Sequence, residues 1–294
     1  MSNELLYLNM ARPKLQRTVP AGVATESEAA DEELEAGTST ALARGLAVLR
    51  AFRQGEVYLG NAELAERTGI PNSTISRLTF TLQKLGYLHY IPSFGRYQLG
   101  SSVLDLGYGF LSNIRAIAAV RPLMTRLAAE SGGVVSLAAL DGQDMIYLEV
   151  ARGVAAMTRN ISVGLKIPVA RTSIGWCCLW GMDKDERLRT MDALEAANSP
   201  AWPDLNRRIK RAWRQVDKDG FCINISEYAT SINAVSVPFL TRMKRYHFAI
   251  NCTAPSAILS KDALVDRWGP ALRRMAELAE QQIYPLEGIA QESA

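Results

Sequence analysis

The chain has 294 residues, 48% hydrophobic and 21% charged, with a formal net charge of +3. This is a globular composition with room for two domains of ordinary size. Its four cysteines (Cys177, Cys178, Cys222, Cys252) are too few for a disulfide framework and lack paired metal-ligand spacing. No apolar run reaches membrane-spanning length, and Leu5 to Leu8 is too short for a signal-peptide core. The reading is cytoplasmic, without a membrane, metal or cofactor.

Residues 1–38 lack sustained periodicity and carry an acidic run from Glu26 to Glu35. They are expected to be a mobile tail. From Arg44 to Arg96 the balance reverses, with seven basic residues against Glu56, Glu63 and Glu66. A small basic module suits phosphates.

Ser39 or Thr40 caps a predicted helix to Phe52, with Leu42, Leu46, Leu49 and Phe52 down its buried side. A short helix follows, with Asn61 as its cap and Gly69 at its end, where left-handed backbone suits glycine. Pro71 opens the next helix, with Asn72 and Ser73 as capping candidates. In it Ile75, Leu78, Leu82 and Leu85 share one face, and Ser73, Ser76, Arg77, Phe80 and Lys84 the other.

Two short helices around a glycine turn, the second bearing hydroxyls and an arginine, form a helix-turn-helix whose second helix suits the DNA major groove. Gly86 then turns the chain into a hairpin, Tyr87 to Ile91 and Arg96 to Leu99, with Pro92-Ser93-Phe94-Gly95 at its tip. A hairpin in that place is a wing, and Arg96 lies at or near its tip. The candidate DNA contacts are Arg77 first, then Asn72, Ser73, Thr74 and Ser76 for phosphates or base edges, and Arg96 for backbone or minor groove.

Ser101 to Ser112 reads as an apolar helix that packs against a partner subunit. Ile114 to Ser131 continues as helix around Pro122 and ends at Gly132-Gly133. The second domain opens with strands Val134–Leu140 and Met145–Val150 about an Asp141-Gly142 turn. Val154–Val163 is a further strand candidate. Helices are expected over 172–180, 183–197, 202–219 and 261–283, the last interrupted at Gly269-Pro270. Strands are expected over 221–225, 234–239 and 246–253, and interleaving of this kind gives an α/β or α+β domain with a covered sheet.

These stretches resemble the IclR family of transcription regulators from Ala41 to Ile283. The similarity is carried by Ala41-Leu-Ala-Arg-Gly-Leu-Ala-Val-Leu49, by Glu63-Leu-Ala-Glu-Arg-Thr-Gly-Ile-Pro71, and by Tyr97-Gln98-Leu99-Gly100. In the second half it rests on Gly164, Pro168, Thr172-Ser173 and Gly175, then Gly220-Phe221, Glu227, Pro238 and Asn251 to Pro255. Departures are Trp176 for the usual lysine, Ser231 for a glycine, and Phe80 for a small residue.

The resemblance implies an α+β chain: a winged helix-turn-helix (39–100), a linker helix (101–117) and a GAF- or PAS-like effector-binding domain (118–288) with an antiparallel sheet flanked by helices. It implies a homodimer or homotetramer on a near-palindromic double-stranded operator, sensing a small organic acid. The wording around Ile167 to Gly175 and Glu227 to Pro238 is nearest the branch controlling aromatic-acid degradation. Matching motifs place the loop from Gly164 to Thr172, with Ser173, Asn224, Ala234, Asn251 and Thr253, around the effector, and the Thr172-Ser173 helix start offers donors to a carboxylate. Trp176 is core or a flat wall against an aromatic ligand. The cysteines read as buried packing, and His247 as a structural histidine on its strand. Without a positioned nucleophile, acid–base pair or metal motif, an enzyme is not expected. The alternative is an architectural DNA-binding protein whose second domain only oligomerises.

Overall fold

The computed structural model describes residues 38–291 except 54, 155–160 and 242–246, and the side chains only as far as Ile283. The tail expected over 1–38 therefore lies, but for Thr38, outside the described residues. The chain divides into two compact units between Asp105 and Leu106.

The N-terminal unit contains α1 (Thr40–Arg50), α2 (Asn61–Thr68), α3 (Asn72–Lys84) and the antiparallel hairpin β1 (Leu88–Ile91) and β2 (Arg96–Leu99). Its core joins Val48, Leu59, Leu64, Ile70, Ile75, Leu82 and Leu88. Gly69, with φ +67°, ends α2 in the left-handed region where a Cβ would be strained. The cap of α2 is Gly60 rather than Asn61, and the Glu63 carboxylate accepts its backbone N–H at 2.8 Å. Pro71 caps α3, so Asn72 and Ser73 are its first helical residues and not caps. The buried stripe of α1 also differs from expectation. Val48 is fully buried, whereas Leu42 and Leu46 are exposed, because α1 reaches the small core through its C-terminal half. Leu85 is exposed too; Thr79 takes a place in the buried face of α3, its hydroxyl satisfied by the carbonyl of Ile75.

Helix α4 (Ser102–Ser112) buries none of its residues and exposes Leu104, Leu106, Tyr108 and Phe110. It ends before Asn113, and α5 (Arg115–Ser131) starts afresh, so residues 101–117 are not one linker helix. Ile114, Ala116 and Ile117 already belong to the second unit's core. Pro122 sits inside α5 on its exposed side, so the Ala118 carbonyl deprived of a donor faces water and the helix runs on.

The second unit is built on a six-stranded antiparallel sheet in the order β5-β4-β3-β8-β7-β6. The strands are β3 (Val134–Asp141), β4 (Asp144–Arg152), β5 (Lys166–Pro168), β6 (Cys222–Ile225), β7 (Ile232–Phe239) and β8 (Phe248–Pro255). The strand expected over Val154–Val163 is a correction. Residues 155–160 are outside the described part, Val154 and Ile161 to Val163 are not strand, and β5 supplies the edge instead. One face of the sheet packs Val135, Leu137, Val235, Val237, Ile250 and Cys252 against α5 and α9 (Gly269–Gln291). The other face meets α6 (Ser173–Trp180) and α8 (Trp202–Asp219), with α7 (Lys184–Ala197) outside them. Along α8, Leu205, Ile209, Ala212 and Val216 recur at helical spacing and are buried. The break expected at Gly269-Pro270 is a π-helical turn, Leu264–Trp268, in which Gly269 N–H bonds to the Leu264 carbonyl. Pro270 has no N–H for Asp266, and the wider turn absorbs the defect.

Gly175 in α6 lies where a Cβ would come within 2.3 Å of the Val169 carbonyl oxygen and 2.6 Å of its Cα. Backbone cannot yield as a side chain does, so Gly175→Ala is expected to destabilise by about 1–3 kcal/mol. A urea titration checks this; an unchanged midpoint would contradict so close an approach.

Candidate functional site

On α3 the residues Ser73, Arg77, Phe80 and Lys84 fall on one exposed stripe opposite Ile75, Thr79 and Leu82. Arg77 has no ion pair among the described residues, so its guanidinium is available. Ser76 is more committed: its hydroxyl donates to the Asn72 carbonyl at 3.0 Å and accepts from Asn61 Nδ2 at 3.1 Å. Thr74 is half-buried and Asn72 exposed at the start of the helix. Arg96 is the first residue of the returning strand, paired with Ile91 across the hairpin. Its guanidinium folds back to Glu63 at 3.3 Å and to the Tyr58 carbonyl at 3.4 Å. The tip itself presents Phe94, whose ring centroid lies 5.3 Å from that of Tyr58.

In the second unit, strand alternation leaves one sheet face small and polar. Asn224 of β6, Ala234 of β7 and Thr253 of β8 form one cross-strand row. Ser236 and Asn251 lie in the next row, two residues along their strands. Below the first turn of α6 this face opens into a cavity of about 450 Å³. Thr172, Ser173, Asn224, Ala234, Asn251 and Thr253 all line it. Gly164 does not: it serves the turn before β5 with φ +84°, its N–H bonded to the Tyr147 carbonyl at 2.8 Å.

The polar atoms around the cavity are unevenly satisfied. Thr172 Oγ1 donates to the Pro168 carbonyl at 2.8 Å, and Ser173 and Ser236 share a 2.7 Å hydroxyl bond. Neither hydroxyl caps α6, so among the described residues no side-chain cap takes up the first-turn amides of that helix. Asn224 Oδ1 accepts the Glu227 N–H at 3.1 Å, while Asn224 Nδ2 and Asn251 Oδ1 are buried without a partner among the described residues. Such orphans cost about 1–3 kcal/mol each and are expected where a ligand completes them.

Lys166 and Ile167, within the loop expected to line the pocket, do so, and Tyr147, Ile161, Tyr228 and Ile232 complete much of the wall; motif matching missed these last four. The parity of β4 places Tyr147 on the same face as Met145 and was open to sequence reasoning. Tyr228 lies on the β6–β7 turn, where no periodicity exists. That turn has Ser226 and Ser231 at φ +54° and +60°. The second value explains the glycine expected at 231, since left-handed backbone costs a serine about 1–2 kcal/mol. Glu227 ties the turn to α8 through ion pairs with Arg208 and Arg211.

Trp176 is core, only 1% exposed, its Nε1 donating to the Ala170 carbonyl, and it does not line the cavity. His247 precedes β8 and its Nε2 lies 2.7 Å from Glu186 Oε1. His89 is exposed on the wing. Among the described residues no group of three His, Cys, Asp or Glu side chains is placed to hold a metal, and no single helix is long and apolar enough to cross a membrane.

A winged helix-turn-helix joined to a cavity-bearing α+β unit is the build of a DNA-binding regulator. Residues 41–92 match the IclR helix-turn-helix domain, and residues 109–280 match the bacterial transcriptional regulator IclR C-terminal domain. The chain belongs to the IclR family of transcriptional regulators, whose members regulate transcription and are not enzymes. It is 29% identical to the HTH-type transcriptional regulator TsaQ1/TsaQ2 of Comamonas testosteroni, over 87% of this chain and 93% of that one. It is also 29% identical to the Pca regulon regulatory protein of Pseudomonas putida, over 92% and 96%. The crystal structure of an IclR family transcriptional regulator from Brucella abortus superposes with a TM-score of 0.76 at 38% identity, covering 88% of this chain and 97% of that one.

All four thiols are free and buried. Burial pushes Cys252 up to about 11, despite a hydrogen bond to Ser131, and raises Cys177 and Cys178 as well. At pH 8 these three are therefore protonated and unreactive. Iodoacetamide is expected to label all four only after unfolding in urea; rapid labelling of Cys177 or Cys252 in the native protein would contradict their burial.

Proposed function

We propose that this regulator senses a small aromatic carboxylic acid in the cavity beneath α6 and uses it to control transcription of catabolic genes. The observation that carries the reading is the uncapped first turn of α6 above a cavity that also holds the unpartnered Asn224 Nδ2. Amide N–H groups at the positive end of a helix favour an anion. A side-chain amide donor adds direction, and Tyr147, Ile161, Ile167 and Ile232 supply a frame for a flat apolar ring. Thr172, Ser173, Asn224, Ala234, Asn251 and Thr253 are the proposed effector residues, with Gly164 shaping the turn beside them. The cavity volume lies within the range of small-molecule sites.

At the other end of the chain, the reading is that α3 enters the major groove of a near-palindromic operator as part of a homodimer or a pair of dimers. Asn72, Ser73, Thr74 and Ser76 then meet phosphates or base edges, and Arg77 a base or phosphate. Arg96, held by Glu63, approaches the backbone beside the wing. The exposed Leu104, Leu106 and Tyr108 of α4 support association with a second copy, since such a cluster is unusual on an isolated surface. The effector acts by its differential affinity for two arrangements of the oligomer.

A thermal-shift series with benzoate, 4-hydroxybenzoate and aliphatic acids tests the sensor. An acid at 100 times its Kd is expected to add about 2.7 kcal/mol to stability, and Asn224→Leu to abolish the rise. No shift with any aromatic or aliphatic acid would favour a second domain that only oligomerises. Separately, Arg77→Ala is expected to weaken binding to a DNA fragment retained by the wild-type protein, by about 1–3 kcal/mol if Arg77 reads a base. Equal affinities in a fluorescence-anisotropy titration would remove Arg77 from the interface.

A further inference from the structure

Phe80 has no structural task in its own unit. It is 61% exposed and absent from the N-terminal core, while Ile75, Thr79 and Leu82 already make the buried face of α3. Single exposed apolar residues are common and need no account by themselves. The placement of this one is specific. At 100° per residue, Ser73, Arg77, Phe80 and Lys84 lie within one narrow stripe, so the ring sits midway along the polar, cationic face that the DNA-binding reading assigns to the groove. From Ser73 to Lys84 that stripe runs about 16 Å along the helix axis, at about 1.5 Å per residue. Lys84 Nζ lies 5.6 Å from the ring centroid, so a cation accompanies the ring toward the phosphates.

We infer that Phe80 is a specificity-determining residue that reads thymine through its C5-methyl group. In the major groove, thymine alone presents a methyl group, and an apolar side chain is the complement of that group. Hydroxyls, arginine and lysine can satisfy polar edges and phosphates, but a phenyl ring facing them would desolvate donors and acceptors without replacing their bonds. Cationic neighbours on both sides favour nucleic acid over an apolar protein partner as the occupant of this face. The assignment rests on the DNA-binding reading of α3. It adds a base preference that charge and hydroxyl groups do not generate.

The test is a selection from a random double-stranded DNA library with the full-length chain, followed by anisotropy titrations of the recovered sequence. Wild type is expected to enrich one thymine in each half-site. Replacing it by deoxyuridine, which lacks only the methyl, should weaken binding about fourfold per half-site, the factor commanded by burying one methyl-sized group. Phe80→Ala should lose the enrichment and become indifferent to the deoxyuridine change, whereas Phe80→Leu should keep part of both. Circular dichroism of the variants controls for folding, and their mass in solution for association. A recovered site whose thymine is read equally by wild type and Phe80→Ala, or whose methyl group is without effect, overturns the assignment alone. A change in oligomer mass with the base preference intact gives the ring to a subunit interface and also overturns it. A library from which wild type retains nothing overturns the DNA-binding reading, and this one with it.

Discussion

The second unit depends on one constraint: its sheet is covered on both faces, and successive residues of each strand must serve different surroundings. In β8, Phe248, Ile250, Cys252 and Ala254 enter the core against α5 and α9, while Asn251 and Thr253 between them face the cavity. In β7, Val235, Val237 and Phe239 alternate with Ala234 and Ser236 in the same way. A slip of one residue would exchange the two sets, burying amides in hydrocarbon and opening the apolar core to the cavity. The cavity is therefore the polar half of a pattern whose apolar half holds the sheet to its helices. Its position is as firmly specified as the core.

Helix α6 completes that arrangement from above. Ser173 reaches Ser236 on the sheet, and the close approach of Gly175 to Val169 holds the helix near the preceding 3-10 turn, Val169–Arg171. Because Thr172 and Ser173 spend their hydroxyls elsewhere, the amides at the start of α6 keep their donor capacity. A buried hydrogen bond and a steric fit thus leave electrostatic capacity in the place where an anion would use it. The N-terminal unit shows a related economy. Glu63 caps α2 through Gly60 and also holds Arg96 of the wing, so one carboxylate relates the helix pair to the hairpin. That pairing is exposed and contributes more to orientation than to stability.

Much of both units was legible beforehand because their signals are local. The glycine at 69, the proline at 71 and the three- and four-residue spacing in α3 define a helix-turn-helix within a single stretch. The Asp141-Gly142 turn and the parity of the flanking strands define a hairpin. The errors fall where local pattern competes with tertiary context. Leu42 and Leu46 have helical periodicity and stay exposed because α1 is longer than the core it covers. Of the strand expected over Val154–Val163, the described residues Val154 and Ile161 to Val163 are not strand, and the sheet edge includes Lys166–Pro168. The two helices either side of Asn113 were expected, but the linker ends there and not at 117, because Ile114, Ala116 and Ile117 are drawn into a core that no local window displays.

Among the effector candidates, the strand residues Asn224, Ala234, Asn251 and Thr253 were accessible through motif and parity, and all four line the cavity. Gly164 shared the motif but serves a turn, since backbone conformation and ligand contact both select glycine and sequence does not separate them. Tyr147 was reachable by parity; Tyr228 was not, because a turn with two left-handed serines has no period to extrapolate. The sequence by itself determined the family, the two-part organisation, the recognition helix and the alternation of the strands. These follow from spacing along the chain, which backbone geometry converts directly into faces. Only the tertiary structure decided that α6 is left uncapped above the polar rows, that Trp176 is core, and that Arg96 is held by Glu63. Each depends on which distant groups compete for the same hydrogen bond or the same space.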